Sequence, residues 1–374
     1  MTERILIIGA SARAAAASAL RAGFQVVAAD LFADADLRQA ANAAFKISEY
    51  PEGFEQVLRS ASYDHWMITG ALENYANLID KWRSEFPNYR GCDSIAIASV
   101  RSNAWQRVLQ DHGVYIPCEK PIDPCDSVVP DGWLCKRRRS AGGMHVLPPS
   151  TQILESHDDC YLQKQIDGEP VSATFVASDD SCFLLGTCEQ LFGTEWNAPS
   201  TFAHVGAIGP LHISDSVKDR WQTIGDLLAE RCGLRGVFGV DAIQRADVII
   251  PIEVNPRYPS SAELFDRANP TQSVVALHIA ACTNQTFAID QSRTISIHGK
   301  AIVWATSPVV VTDDLTSCWL KRASEVRDFA DIPQPTTIAA GQPVMTIFAT
   351  GETPDDVARK LRAAIANLRL EGIK

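Results

Sequence analysis

The sequence lacks any long apolar run and any surplus of basic residues. No apolar stretch approaches the roughly 18–20 residues that a membrane-spanning helix needs, so we expect no membrane partner. Acidic residues outnumber basic ones by 45 to 34, which gives a formal net charge of −11. That charge argues against nucleic acid or an anionic membrane surface as the main partner.

The ten cysteines form no metal-binding pattern, because none belongs to a Cys-x-x-Cys pair or to a Cys/His cluster. A chain of 374 residues can bury a sizeable core without disulfide bonds, so we expect reduced thiols and a cytoplasmic location. The short apolar run Ile5–Ile8 follows Glu3 and Arg4, which is more typical of a buried strand than of an export signal.

Residues 1–100 alternate between short apolar runs and helical patterns, which predicts a small doubly wound α/β domain with a parallel sheet. The predicted strands are Arg4–Ile8, Gln25–Ala29, Trp66–Thr69 and Ile95–Ala98, and the predicted helices are Ala14–Ala22, Phe54–Arg59 and Asn74–Trp82. Only Gly9 of a GxGxxG pattern follows the first strand, which disfavours a dinucleotide-dependent oxidoreductase. Asp30, which ends the second strand, is either a ribose-binding acid or an ordinary strand-end acid.

The rest of the chain divides into residues 101–290 and residues 291–374, and it contains no internal repeat. The predicted helices are Ser102–Gly113, Trp221–Cys232 and Thr353–Leu368. The predicted strands are Trp133–Lys136, Tyr161–Ile166, Val171–Ala177, Ala301–Ala305 and Val344–Ala349. Residues 117–130 are rich in Pro and Asp, which indicates a linker or loop.

The segment Gly239–Arg257 carries the strongest chemical signal in the sequence. Two apolar runs flank a polar turn, which predicts a β-hairpin or a pair of neighbouring strands. Glu253 and Asn255 are two residues apart and therefore share one face of a strand, and Asp241 on the other run can join them. Such oxygen ligands, with Arg257 just beyond them, suit Mg²⁺ on the phosphates of a nucleotide. The alternative is a set of polar residues at strand ends.

Two further segments fit a nucleotide site, although each also fits an exposed turn. Lys136 ends a strand and precedes a loop with Ser140, Gly142 and Gly143, whose backbone N–H groups are free to approach phosphates. The stretch from Gln163 to Glu169 is a strand followed by a glycine turn and an acid. It can present backbone groups to an adenine edge and a carboxylate to ribose.

The order of these parts resembles the ATP-grasp superfamily. A small α/β domain is followed by Lys136 with its Gly-rich loop, by the Gln163–Ile166 hinge, and by Asp241 with Glu253-x-Asn255-Pro-Arg257. Thr69-Gly70-Ala-Leu-Glu73-Asn74 and His298-Gly-Lys300 more narrowly resemble predicted ATP-dependent carboligases linked to tetrahydromethanopterin and methanofuran C1 metabolism.

The resemblance implies a fold of mixed α/β and α+β type. Residues 1–100 would be the Rossmann-like N-terminal domain, residues 101–290 the ATP-grasp domain with a lid at about 117–166, and residues 291–374 a C-terminal α+β segment. The implied cofactors are ATP and Mg²⁺, with Mn²⁺ as the alternative ion. A homodimer is the default expectation for the assembly.

The resemblance also implies a role for each matched residue. Asp241, Glu253 and Asn255 would hold the metal ion, and Arg257 would face the transferring phosphoryl group. Lys136 would contact phosphates beneath a lid made by Ser140, Gly142 and Gly143. Adenine and ribose would be bound by Gln163, Lys164, Ile166 and Glu169.

Two positions depart from the family pattern. Gln163 stands where many members have Glu, so the adenine amino contact would rest on backbone. Arg137 stands where many have Pro, and the run Arg137–Arg139 could grip an acidic substrate. For the acceptor side of the cleft, the sequence offers Glu73, Asn74, Gln190 and His204.

These parts predict an ATP-dependent ligase that activates a carboxylate as an acyl phosphate for attack by an amine. One alternative is a bicarbonate-activating carboxylase that resembles biotin carboxylase. The other is a nucleotide-binding protein without catalysis. No motif in the sequence identifies the carboxylate or the amine.

Overall fold

The computed structural model describes residues 2–123, 127–153, 159–290 and 296–370 of the chain. Cys125 and parts of the predicted lid and of the C-terminal segment therefore lie outside the described residues. Across the four described ranges, none of the helices combines the length and the apolar character that crossing a membrane would require.

Helices and strands alternate up to Glu85 and then follow one another in longer runs of one type. The helices are α1 Arg13–Arg21, α2 Ala35–Ala40, α3 Phe54–Ser60, α4 Ala76–Glu85, α5 Ser94–Arg101, α6 Ala104–Asp111, α7 Asp215–Cys232, α8 Ala262–Ala268, α9 Val274–Cys282, α10 Asp313–Glu325 and α11 Pro354–Leu370. The strands to Lys164 are β1 Arg4–Ile8, β2 Gln25–Asp30, β3 Ala43–Lys46, β4 His65–Ile68, β5 Glu119–Pro121, β6 Trp133–Arg137, β7 Val146–Leu147 and β8 Cys160–Lys164. The later strands are β9 Glu169–Ala177, β10 Cys182–Phe192, β11 His204–Gly209, β12 Gly236–Arg245, β13 Val248–Asn255, β14 Ile297–Trp304, β15 Val309–Val311, β16 Phe329–Ala330, β17 Thr336–Ile338 and β18 Pro343–Gly351.

The N-terminal domain has a four-stranded sheet in the order β3-β2-β1-β4, and its strand pairs are parallel. The apolar run of β1 is buried on both faces, as expected for a parallel strand covered by helices. Asp30 ends β2 and accepts backbone N–H groups from Ala12 and Phe32 at 2.8 and 3.0 Å. This acid therefore fastens the turns at the sheet edge, which supports the strand-end interpretation over ribose binding.

The largest sheet has eight strands in the order β13-β12-β9-β10-β11-β14-β18-β16. The hairpin β12–β13 forms one edge, and strands from the C-terminal segment extend the same sheet on the other side. The helices α5, α6 and α7 contribute to a core on one face, and α1, α8 and α9 contribute to a core on the other. The N-terminal sheet takes part in both cores.

A separate four-stranded sheet, in the order β5-β8-β6-β7, has its own small apolar cluster, and we call it the lid sheet after the prediction for this range. It spans Glu119–Lys164, within the predicted lid range of about 117–166. Strand β6 pairs with β8 so that Lys136 lies opposite Tyr161. The lid therefore carries Lys136 and the following loop at the end of one of its strands.

The predicted strand Ile95–Ala98 is wrong, because these residues lie within helix α5. Asp93 caps the helix by accepting the backbone N–H of Ala96 at 2.8 Å. Ile97 and Val100 are buried at helical spacing. The short apolar run was ambiguous between a strand and a buried helix, and the error hid Arg101 at the helix end.

Candidate active site

The hairpin brings the three predicted metal ligands together. Asp241 lies directly opposite Glu253, and Asn255 lies opposite Gly239 on the same face. Asn255 Nδ2 donates to Asp241 Oδ2 at 2.9 Å, and Gln190 Nε2 donates to Asp241 Oδ1 at 2.6 Å. The prediction of a hairpin that clusters these side chains is confirmed by this register.

Two carboxylates facing each other create a site that favours a cation. Burial, together with the negative charge of Glu253, raises the pKa of Asp241 to about 6. Hydrogen bonds from Asn255 and Gln190 act in the opposite direction. A bound divalent ion would relieve this repulsion.

The donor set suits Mg²⁺ held partly by a nucleotide. Within the described ranges, no group of three or more His, Cys, Asp and Glu side chains could hold a metal ion alone. The hairpin instead offers two carboxylates and one amide, and Mg²⁺ usually completes its shell with water and phosphate oxygens. The residues present therefore fit the ion.

Arg257 follows the hairpin and contacts its amide. Its Nη2 donates to Asn255 Oδ1 at 3.0 Å, and its Nε donates to Glu73 Oε1 at 3.0 Å. A Cβ at Gly70 would lie 3.7 Å from this guanidinium, so the end of β4 closely approaches Arg257. The N-terminal domain thus forms one wall of the cleft.

Lys136 lies across the pocket from the hairpin. This pocket is lined by the lid strand and loop, by the end of α5 and by β13, including Lys136, Ser140, Gly142, Gly143, Arg101 and Glu253. Burial lowers the pKa of Lys136, whereas Glu253, Glu119 and Asp241 act to raise it. Those carboxylates therefore lie close enough to affect the ammonium group.

The lid loop is fastened to two neighbours. Gly142 O accepts the backbone N–H of His204 at 2.9 Å, and Ser140 O accepts Asn74 Nδ2 at 3.2 Å. A Cβ at Gly143, whose φ is +68°, would overlap the carbonyl oxygen of Phe202. The loop is thus in contact with both the N-terminal domain and β11.

The predicted adenine-hinge residues Gln163, Lys164 and Ile166 are not among the described residues that line this pocket. Gln163 is 2 % exposed, and its Nε2 donates to Glu119 Oε1 at 2.9 Å. Gln106 donates to the same oxygen at 2.6 Å. The two remaining hinge residues, Lys164 and Ile166, and the ribose candidate Glu169 are at least partly exposed along β8 and at the start of β9.

The acceptor candidates lie on different sides of the cleft. Glu73 is buried between Arg257 and Arg101, and Asn74 Oδ1 has no hydrogen-bond partner among the described residues. His204 Nε2 is likewise buried, with no partner in the described part of the chain. Burial, reinforced by the charges of Lys300 and Arg257, lowers the pKa of His204 to about 4. Its imidazole is therefore neutral near pH 7.

Sequence reasoning missed two charged residues in the pocket. Arg101 Nη1 donates to Glu253 Oε1 at 3.2 Å, and Arg101 lies 152 residues from that acid. Glu119 stands opposite Gln163 across β5 and β8. The cap at Asp93 was the available signal for Arg101, whereas no local pattern marks Glu119. Together these features describe a cleft between the lid sheet and the large sheet, and its charged groups suit a nucleotide.

Comparison with known proteins places this fold in a family. Residues 103–261 match the ATP-grasp domain. Formate-dependent phosphoribosylglycinamide formyltransferase of Haemophilus ducreyi is 23 % identical over 94 % of this chain and 92 % of its own length.

Solved structures share the fold at lower identity. N5-carboxyaminoimidazole synthetase from Staphylococcus aureus, complexed with ADP, superposes with a TM-score of 0.69 at 14 % identity and covers 97 % of each chain. Biotin carboxylase from Campylobacter jejuni also gives 0.69, at 13 % identity, over 97 % of this chain and 91 % of that one. The predicted resemblance to the ATP-grasp family is confirmed over residues 103–261, and the predicted ATP-grasp fold is confirmed by the solved structures. These comparisons agree with the predicted class of ATP-dependent ligase.

Proposed function

We propose that the protein is an ATP-dependent ligase that converts a carboxylate into an acyl phosphate and then joins it to an amine. The observation that carries this proposal is the convergence of Asp241, Glu253 and Asn255 with Arg257 at one cleft. Lys136 faces them from the lid. Such a set suits the transfer of a phosphoryl group, whose negative charge must be neutralised.

Each side of the cleft has its own task. Asp241, Glu253 and Asn255 would hold Mg²⁺, with Mn²⁺ as an alternative, and the ion neutralises phosphate charge when bound. Lys136 and Arg101 contact phosphate oxygens, and Arg257 faces the transferring group. The hinge residues Gln163, Lys164 and Ile166 hold adenine, and Glu169 holds ribose. Glu119 offers a carboxylate near the adenine position, where Gln163 replaces the family's usual Glu.

The lid loop protects the acyl phosphate from water. Ser140, Gly142 and Gly143 lie over the cleft, and contacts with Asn74 and His204 support that placement. An acyl phosphate reacts with water, so its exclusion favours transfer to the amine.

The acceptor binds beside the phosphoryl group, near Asn74, Gln190 and His204. The neutral His204 can accept a hydrogen bond from an amine N–H group, because its Nε2 has no partner among the described residues. Asn74 Oδ1 offers a second free acceptor at this cleft. The Asn74 amide oxygen, which can only accept, suits an N–H donor better than an anion such as bicarbonate.

The wider setting follows from the narrower resemblance. The motifs around Glu73 and Lys300 support a substrate related to C1-carrier cofactors, and the chain would act in the cytoplasm as a homodimer. Neither feature is needed for the chemistry in the cleft.

A trapping assay tests this function. The protein is incubated with MgATP, hydroxylamine and a panel of carboxylic acids, and ADP and hydroxamate are measured. We expect ADP release and hydroxamate formation that depend on one class of acid and on Mg²⁺. ADP release stimulated by bicarbonate without organic acid would favour the carboxylase instead. Tight MgATP binding with no turnover across the panel would favour a non-catalytic protein.

A further inference from the structure

The carboxylate of Glu73 lies between two arginines that are distant from each other in the sequence. Its Oε1 is 3.0 Å from Arg257 Nε and 3.1 Å from Arg101 Nη2, and the Glu73 side chain is 1 % exposed. Burial acts to raise the pKa of Glu73, but the charges of Arg257 and Arg101 outweigh burial and hold the pKa below its usual value. The carboxylate is therefore ionised and engaged by both guanidinium groups.

Both arginines also contact side chains of the β12–β13 hairpin. Arg257 Nη2 donates to Asn255 Oδ1 at 3.0 Å, and Arg101 Nη1 donates to Glu253 Oε1 at 3.2 Å. One carboxylate of the N-terminal domain thus links two guanidinium groups, and each of these contacts a proposed metal ligand. Arg101 Nε is buried and has no hydrogen-bond partner within the described ranges, while Arg101 lines the same pocket as Lys136.

We propose that Glu73 is a positioning residue that holds Arg257 and Arg101 at the site of phosphoryl transfer. This proposal rests on the proposed function of the cleft as an ATP site. It replaces the sequence-based expectation that Glu73 contacts the acceptor. An arginine side chain is long and flexible, so a fixed carboxylate restricts its guanidinium to the geometry that phosphoryl transfer requires.

A reaction without any acceptor separates these two roles. Glu73→Gln keeps the size of the side chain but removes its charge, so the arginines lose their common anchor. We expect the hydrolysis of MgATP by water to slow roughly 10- to 100-fold, as when a catalytic group is misplaced. MgADP, which has no γ-phosphate, should bind within about threefold of the wild-type affinity. A residue that only contacts the acceptor would leave acceptor-free hydrolysis unchanged.

Glu55→Gln is the matched control. Glu55 is also a carboxylate of the N-terminal domain that pairs with two cations, Lys81 at 2.7 Å and Arg59 at 3.0 Å. It takes no part in the cleft contacts of Glu73, so this variant should hydrolyse MgATP at the wild-type rate.

A double mutant tests whether Glu73 acts through Arg257. Adding Glu73→Gln to Arg257→Ala should slow hydrolysis by less than it does in the wild type, because one of the two positioned groups is already absent. Losses that multiply in the double mutant would overturn the action of Glu73 through Arg257.

Arginine Nε–H signals give a readout that needs no nucleotide. In nuclear magnetic resonance spectra of the nucleotide-free protein, Glu73→Gln should remove or shift the protected Nε–H signal of Arg257, while Glu55→Gln leaves it unchanged. An unaltered signal in Glu73→Gln would overturn the positioning role alone. Failure of the wild-type protein to bind MgADP would instead overturn the proposed function.

Discussion

Asp241 and Glu253 show how individual residues define this site. They face each other across a hairpin, and their mutual repulsion contributes to the raised pKa of Asp241. Protein donors hold both acids in place: Gln190 and Asn255 contact Asp241, and Arg101 contacts Glu253. Ligands restrained in this way are organised before an ion binds.

His278 gives a prediction for stability against pH. Its Nδ1 accepts the backbone N–H of Val237 at 2.8 Å, and burial lowers its pKa to about 4. The unfolded chain, with an ordinary histidine pKa near 6.5, binds the proton first as pH falls. Stability from this group is therefore present above pH ~6.5 and is lost between pH ~6.5 and the folded-state pKa.

Gln is a neutral substitute for His278 that does not titrate, so His278→Gln removes the proton-binding group. Between pH ~7 and ~5, the wild-type protein should lose about 2 kcal/mol more unfolding free energy than His278→Gln. Urea unfolding at the two pH values measures this difference. Equal losses of unfolding free energy in the two proteins would contradict the lowered pKa of His278, whatever the absolute stability of the variant.

The parts of the site that are close in sequence were predictable, and the distant parts were not. Glu253, Asn255 and Arg257 follow strand alternation, and Asp241 joins them through a hairpin. Glu73 and Arg101 approach them only when the N-terminal domain packs against the large sheet. No local periodicity encodes that approach, so their contacts required the three-dimensional structure.

At the scale of elements, the lid loop depends on two adjacent glycines with different surroundings. Gly142 and Gly143 have φ values of +65° and +68°, so alanine is strained at either position. A Cβ at Gly142 meets nothing within 4 Å, whereas one at Gly143 would overlap the carbonyl oxygen of Phe202. The seating of the loop against the segment that precedes β11 therefore depends mainly on Gly143.

Gly143→Ala should weaken MgATP binding and slow turnover by roughly tenfold or more, because the loop cannot close over the cleft without moving backbone. Gly142→Ala is the matched control and should show only the effect of left-handed backbone strain, about 1–2 kcal/mol in stability. Calorimetric MgATP titration and turnover assays compare the two. Equal defects would show that strain, rather than the contact with Phe202, controls the loop.

Element prediction failed where a short apolar run had two solutions. Residues 94–101 form a helix because Asp93 caps it and because its buried residues repeat at helical spacing. The hairpin was clearer, since its turn and its alternation agree. The hairpin was predicted correctly because two local signals, its turn and its alternation, agreed, whereas the apolar run at residues 94–101 fitted both a strand and a helix.

At the scale of the whole molecule, Arg13 joins three parts of the chain. Its guanidinium bonds Glu263 of helix α8 and lies 2.8 Å from Asp331 of the C-terminal segment. Lys300 also contacts Glu263, at 3.0 Å. The Arg13 and Glu263 side chains are 8 % and 6 % exposed, so their charges are shielded from water and depend on one another.

Arg13→Met should destabilise the protein by about 3–5 kcal/mol, because the buried Glu263 keeps only Lys300 as a partner and Asp331 loses its arginine. Arg59→Met removes an ion pair whose arginine is 62 % exposed, and it should change stability by less than ~1 kcal/mol. Thermal unfolding compares the two variants. A small effect of Arg13→Met would show that the three parts are held together by apolar packing alone.

The overall order of domains was predictable, but the unity of the large sheet was not. The C-terminal residues looked like a separate α+β segment, yet β14, β18 and β16 continue the sheet that begins with the β12–β13 hairpin. Strand order across a sheet depends on pairing between distant segments, which hydrophobic patterns do not specify.

Glu253→Gln, measured by metal titration, tests the central claim most directly. Mn²⁺ binding to the protein with ADP present is followed by electron paramagnetic resonance, with Asp247→Asn, at the exposed turn of the same hairpin, as control. The account predicts that Glu253→Gln weakens nucleotide-dependent Mn²⁺ binding by at least roughly tenfold, while Asp247→Asn matches the wild type. Wild-type affinity in Glu253→Gln would contradict the assignment of the hairpin as the metal site.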